Sequence, residues 1–429
     1  MADILTEIIN FLVNNILSIP AFLVGLVVLI GLLLQRKSFS DTVSGTVKTI
    51  AGFLMISIGA SAFIGGLVNF QTIVGAAFGL PSVTYTGIGM ANFITMFGGY
   101  AALVMSVAFL IHLIIARVTP YRNVYLTGHL MWWMSLGMLA LIVEVFPNWP
   151  IYNMIAIAAA VMAVYWTIQP ALTQRFMKII RGADDIAYGH TSSSGCLLSG
   201  LAGRFVGKPE ESSEKVKVPE TISFLKDYTV GTAIVIGIIL LLSSIAAGPA
   251  VVQPLAGTMN YIVWSVYQGM YFAAGLTVLL VGVRMIIAEI VPAFRGISMK
   301  VIPGARPALD CPVIYPSAPT AVLLGFIGST VAFLIWMVIF GVTKFAVIIP
   351  PMIVLFFPGG ACGVYGNAVG GWKGAILGGL INGTLVAIGE PIMMALTPTT
   401  VPEFGAFLDP DYWIIGLLLV PILRLIKGA

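Results

Sequence analysis

Charge is what this sequence has least of. Only 9% of its residues are charged and 59% are hydrophobic, whereas an ordinary soluble domain carries roughly 25% charge. A single core with a wet surface cannot reach a mean hydropathy of +1.04, so most of the chain must face lipid or other membrane helices. Cysteine is scarce as well. Cys196, Cys311 and Cys362 have no CxxC spacing and offer neither a metal set nor a disulfide framework. GxxxxGK[ST], HExxH and GxSxG patterns are all missing, and no soluble stretch is large enough to hold a nucleotide. No cofactor, metal or catalytic constellation is therefore expected, and any phosphate chemistry has to come from another polypeptide. The net charge of +4 belongs to no basic cluster with interleaved aromatics, which argues for basic loops at a membrane and against nucleic acid. The start of the chain carries Asp3 and Glu7, no early Lys or Arg and no small-residue cleavage site, so the first apolar run reads as a retained span.

What is present is an all-α integral membrane pattern. Apolar stretches of spanning length fall near 16–34, 47–69, 94–116, 124–146, 149–168, 229–248, 259–283, 320–343, 345–357, 373–396 and 412–426, about eleven in all. Arg36 and Lys37 follow the first, and Arg424 and Lys427 end the last. The positive-inside bias then predicts an N-terminus outside and a C-terminus in the cytoplasm, with Glu403, Asp409 and Asp411 outside. An odd count agrees. Between 169 and 229 lie eight Lys/Arg and seven Asp/Glu, and Lys208 to Lys217 reads as a solvated cytoplasmic loop, either a linker or a docking surface. Three short, Gly- and Pro-rich segments are too irregular to span: 79–87, 186–201 and 302–312. Irregular backbone at membrane depth is tolerated only inside protein or around a wet cavity, so these read as re-entrant hairpins at a substrate site. The spans group as five, five and one, the count expected of inverted five-span repeats.

Ionisable groups in a bilayer are costly and mark function by default. Asp310, in Pro307-Ala-Leu-Asp-Cys-Pro312, sits where helical bonding is broken and suits sugar hydroxyls; a cap or an ion pair with Arg306 is the structural alternative. His129, in Leu126-Thr-Gly-His129, and His190, in Tyr188-Gly-His190, each donate and accept. Either alone reads as structural; together, on separate irregular segments, they read as a site. His112 has no polar neighbours and reads as packing or an interhelical hydrogen bond. Thr84 and Tyr85 follow a proline, so their hydroxyls could orient a sugar. Trp132 and Trp133 are either interfacial belt residues or a stacking platform. Glu289 and Arg284 form at most an ion pair at imperfect spacing. Glu390, before Pro391, is a coupling carboxylate or simply interfacial.

Several strings resemble the ascorbate-type enzyme IIC permeases of the phosphotransferase system: Lys48-Thr-Ile-Ala-Gly-Phe53, Thr84-Tyr85, Leu126-Thr-Gly-His129, Gly189-His190, Val283 through Ser298, Val301-Ile-Pro-Gly-Ala305, Leu309-Asp-Cys311, Ile314-Tyr315, Gly363-Val-Tyr-Gly-Asn367 and Gly370-Gly-Trp372. They keep one order along nearly the whole chain. The resemblance implies a homodimer in a bacterial inner membrane among its lipids. It implies a scaffold (V-motif) part at 1–75 and 229–285, a core part at 76–228 and 286–411, and a last span with its tail at 412–429. It also implies a substrate at Thr84, Tyr85, His129, His190 and Asp310. A soluble IIB protein would phosphorylate that substrate from a phosphocysteine, fed by a IIA protein. Three positions depart from the family pattern: Trp133, Thr191 and Ser57 stand where glutamines are expected. Losing amides changes what a hydrogen-bonding site selects, so the expected cargo is ascorbate or a related sugar or sugar acid. Two other functions compete: an ion-coupled secondary transporter using Asp310 or Glu390, and a membrane enzyme using His129 and His190, which lack a partner nucleophile.

Overall fold

The computed structural model describes residues 19–77, 79, 87–216, 220–221, 224, 227–407 and 409–428. Thr84 and Tyr85 lie outside the described residues. Apolar runs without polar interruption fold as helices because every backbone N–H and C=O is then satisfied within one segment. In chain order these are α1 (Pro20–Leu34), α2 (Phe39–Ala77), α3 (Met90–Val118), α4 (Gly128–Val145), α5 (Ile151–Arg181), α6 (Ser193–Ala202), α7 (Tyr228–Ala247), α8 (Pro249–Ala256), α9 (Tyr261–Lys300), α10 (Pro319–Thr343), α11 (Met352–Leu396) and α12 (Pro410–Gly428). Eight of the described helices are long and apolar enough to cross a membrane, and α1 is a shorter apolar helix. The protein is a multi-pass membrane protein.

The expected span at 345–357 is not one helix. Residues 346–351 have no regular secondary structure, ending in Pro350-Pro351, and α11 begins at Met352. Its backbone breaks at Gly371, which has φ 60° and ψ −155°. Side chains rarely adopt that conformation, and a Cβ there would strike the backbone of Lys208 and Glu211. Glycines on the two halves meet backbone to backbone, Gly366 against Gly374 and Gly378 against Cys362. The two halves of α11 therefore form a helical hairpin whose tip is clasped by residues 203–211.

The stretch from Lys208 to Lys217 is correspondingly not a free solvated loop over its described part. Ser213 N donates to Asn367 Oδ1 at 2.8 Å, Glu211 pairs with Lys373 at 3.6 Å, and Glu214 accepts from Thr320 N at 2.9 Å. This last contact supplies an acceptor to the otherwise unpaired N–H groups that open α10.

α2 and α9 are the longest unbroken pair, at 39 and 40 residues, and they cross with almost no side chain between them. A Cβ on Gly282 would strike Gly52 O, and one on Gly59 would strike Gly275 O. Small residues let membrane helices associate by close backbone packing. α1 joins them: the Gln35 amide donates to Pro292 O at 2.9 Å.

The all-α expectation needs one correction. Three short strands, β1 (Asn123–Tyr125), β2 (Ala187–Tyr188) and β3 (Arg306–Leu309), form a parallel sheet in the order β1-β3-β2. Pro307 is tolerated in the central strand because its nitrogen faces the β2 side, where pairing starts only at Ala308. The basic residues Arg122, Arg181 and Arg306 lie at the end where these strands begin. α5 runs from Ile151, just after α4, past Tyr165 at site level, to Arg181, which bonds Asp185 at 3.0 Å. α12 starts at site level and runs to the far end, where Lys427 Nζ donates to Val145 O at 2.7 Å.

Candidate functional site

Parallel strands deliver their C-terminal ends to one place. Leu126 N donates to Ala308 O at 2.9 Å and Gly189 N to Leu309 O at 2.8 Å, so the three chains leave the sheet side by side. The residues immediately beyond are His129, His190 and Asp310, and the structure brings all three together. His129 Nε2 and His190 Nε2 each lie 3.6 Å from an oxygen of Asp310. That is beyond hydrogen-bond length, so the three polar atoms face one another across a gap. Asp310 Oδ1 also accepts from Cys311 N at 2.7 Å, the cap that its structural alternative foresaw. The ion pair with Arg306 does not form: Arg306 instead binds Asn123 Oδ1 at 3.0 Å and pairs with Asp184.

His190 is nearly fully buried. Its Nδ1 shares the Ser192 hydroxyl at 3.0 Å and lies 3.5 Å from Asp409 Oδ2. Ser192 in turn contacts the Tyr188 hydroxyl at 2.8 Å. These contacts fix the ring and leave Nε2 for the gap. Thr191 is buried with its hydroxyl donated to Asp409, so its side chain holds a carboxylate.

Asp409 and Asp411 are what sequence reading missed, and they do not lie in an outer loop. Asp411 Oδ2 accepts from Ser193 N (3.1 Å), Ser193 Oγ (2.5 Å) and Tyr165 Oη (2.6 Å). Its Oδ1 accepts from Ser194 N (3.0 Å) and Ser194 Oγ (2.6 Å). A carboxylate at the N-terminus of α6 satisfies open N–H groups and complements the helix dipole. The available signal was Asp409-Pro410: an acidic residue followed by proline is a helix start, much as Asp310 precedes Cys311-Pro312.

Around these groups lies a cavity of about 550 Å³, within the usual range for a small-molecule site. His129, His190, Asp310 and Asp409 line one side and Ser57 and Ser61 of α2 the other, with Trp133, Phe357, Phe404 and Tyr412 among the apolar walls. Trp133 lies one helical turn beyond His129 and meets Phe404 edge-on at 6.5 Å. Trp132 points elsewhere, donating to Gly98 O at 3.2 Å. The Ser57 hydroxyl donates to Phe53 O at 3.1 Å. A ligand with several hydroxyls could bridge the imidazoles and carboxylates while an apolar face rests on the rings.

The remaining candidates resolve separately. His112 makes the interhelical bond: Nε2 accepts from Tyr125 N at 3.1 Å, so Nδ1 donates to Thr167 Oγ1 at 2.8 Å. Glu289 pairs with Lys48 at 3.5 Å, not with Arg284. Glu144 accepts from both Thr399 and Thr400. Glu390 is buried, with Oε1 accepting from Ile349 N at 3.1 Å and Oε2 unpartnered among the described residues. The Cys196 and Cys362 thiols touch at 3.9 Å as free, buried groups.

Comparison with known proteins supplies the family. The chain is similar to the ascorbate-specific PTS system EIIC component of Mycoplasma pneumoniae, at 28% identity over 417 aligned residues. The match covers 85% of this chain and 63% of that relative's length. Residues 15–411 match the family EIIC-GAT, described as the PTS system sugar-specific permease component. With nearly the whole sequence matched and a polar cavity at the heart of a membrane bundle, this chain belongs to the sugar-specific permease components of the phosphotransferase system.

Proposed function

We propose that the protein binds L-ascorbate or a related sugar or sugar acid in the cavity between α2 and the strand ends, and moves it inward. A separate IIB protein carrying a phosphocysteine then phosphorylates it, supplied by a IIA protein and phosphoenolpyruvate. The observation that carries this reading is the convergence of His129, His190, Asp310 and Asp409 on one 550 Å³ cavity with a wall from a different helix pair. The name of the Mycoplasma pneumoniae relative favours ascorbate; Trp133 in the wall favours a ligand with one apolar face.

Alternating access follows if α1, α2 and α7–α9 form a stationary scaffold and the rest a moving core. The boundary at 285 falls inside α9, and extending the scaffold to Lys300 keeps that helix whole. Element order supports an inverted repeat: α3, α4, α5 and α6 correspond to α10, the two halves of α11, and α12. In each set a segment outside the α-helices reaches site level before a helix leaves, α4 and α12 towards one face, α6 and the first half of α11 towards the other. We take the basic end, with Arg122, Arg181 and Arg306, as cytoplasmic. α12, which starts at site level, then ends on the outer side, in place of the cytoplasmic C-terminus expected from an odd span count. The protomer works as a homodimer, with the scaffold as its fixed part.

The test is uptake by membrane vesicles. Accumulation should require phosphoenolpyruvate with the soluble carriers and should yield phosphorylated product. Uptake driven by an ion gradient alone, with unmodified product, would sink the reading.

A further inference from the structure

A second polar cavity, of about 410 Å³, opens at the end of the bundle where the three strands begin. It lies between the proposed scaffold and core: Gln35 and Arg295 line one side, and Asp184, Asp185, Gly304 and Arg306 the other. Arg306 opens β3 and Asp310 follows it, so the two cavities are joined by one strand, roughly 13 Å at about 3.3 Å per residue. Between them the boundary is apolar, with Val24, Ile286 and Ile287 facing Leu126 and Leu309 around a small void of about 40 Å³.

The charges at this cavity do not cancel. Asp184 pairs with Lys178 at 2.9 Å and with Arg306, and Asp185 with Arg181 at 3.0 Å. Burial pushes the Asp184 carboxyl up, but hydrogen bonds from Lys178, Gln174 and Arg306 outweigh it and hold the group below its usual range. Both acids are thus committed to cations. Arg295 makes no hydrogen bond or ion pair with the described residues, and the Arg122 guanidinium lies alongside Gly304, where a Cβ would sit 3.4 Å from Nη1. A cavity with paired acids and spare guanidinium groups attracts a compact anion, and guanidinium binds phosphate oxygens in a bidentate fork.

We propose that this cavity is a receiving site for a phosphoryl group, held by Arg295 from the scaffold and Arg122 from the core. This rests on the group-translocation reading. In the transfer, the S–P bond of the donor's phosphocysteine breaks, a substrate hydroxyl oxygen forms the new P–O bond, and the hydroxyl proton passes to the leaving thiolate. The phosphoryl group at the cavity has two possible sources, the charged donor before transfer and the phosphorylated product after it.

The experiment uses the purified full chain and Arg295→Gln, with Arg295→Lys as the conservative variant. Arg295 is chosen because it supports no other described residue, so unchanged thermal unfolding is expected. Inorganic phosphate should bind the wild type and bind Arg295→Gln about tenfold more weakly, as loss of one charge-assisted contact implies. Partial recovery is expected in Arg295→Lys. Equal phosphate affinity in all three proteins overturns the site whether or not transport depends on phosphoenolpyruvate, so the two claims fail separately. With reconstituted carriers, a slower single-turnover transfer in Arg295→Gln assigns the site to the donor. Unchanged transfer with weaker inhibition by phosphorylated product assigns it to the product. If both rates match the wild type, the site plays no part in translocation and the proposal falls.

Discussion

Asp411→Ala should loosen the core without touching the ligand. The carboxylate is a nearly buried hub whose five hydrogen bonds join the N-termini of α6 and α12 to Tyr165 on α5. A buried N–H left without its acceptor costs about 1–3 kcal/mol, so orphaning two centres on about 3–5 kcal/mol. Here those are the Ser193 and Ser194 N–H groups at a helix start; the serine hydroxyls can turn elsewhere. With an unfolding entropy of roughly 2.1 cal/mol/K per residue, a chain of 429 residues should lose about 3–6 °C of Tm. Asp411→Asn keeps the shape and one acceptor oxygen and should lose about half as much. The assay is thermal unfolding of detergent-purified protein, with a ligand titration beside it. Asp411 does not line the cavity, so affinity at a temperature well below Tm should change less than threefold. A Tm within about 1 °C of the wild type for Asp411→Ala would refute the hub.

Asp310→Asn and His190→Ala should each weaken ligand binding by at least about tenfold while leaving the fold intact, since each removes a group facing the gap; normal affinity in both would show that the ligand binds elsewhere. Glu390→Gln keeps the acceptor for Ile349 N and removes the titratable group, so uptake should persist within about twofold; abolished uptake with intact fold would favour an ion-coupled carrier. Glu390→Ala should instead cost about 1–3 kcal/mol, because the Ile349 N–H loses its partner. Asp184 titrates below its usual range in the folded protein, so its network contributes fully above the ordinary carboxylate pKa of about 3.9 and is lost as pH falls further. In thermal unfolding, Asp184→Asn should therefore be destabilising at neutral pH and converge with the wild type in strong acid; an equal gap at both would refute the assignment.

His129, His190 and Asp310 were legible because imidazole and carboxylate are rare in apolar sequence and each sat in an irregular segment. Asp409 was not, because its partner His190 is more than two hundred residues away and its local setting, acidic residues before an apolar run, is also that of an outer loop. The strands are two to four residues long, too short for an alternation to register. Hydropathy misread 345–357 for a related reason: Ala346-Val-Ile-Ile349 is as apolar as a span, and only Pro350-Pro351 hints that the backbone there is not helical. Of the residues standing where glutamines were expected, Ser57 and Trp133 line the cavity, whereas Thr191 turns away to Asp409.

The small sheet has a consequence for selectivity. Backbone bonds between neighbouring strands tie His129, His190 and Asp310 into one block, so movement past α2 cannot change their spacing. Under the proposed alternating access, a ligand would meet the same three groups at every stage, and only the wall bearing Ser57 and Ser61 would be exchanged. Discrimination between cargoes would then be set once, in the block, and the difference in affinity between the two faces would report the scaffold wall alone.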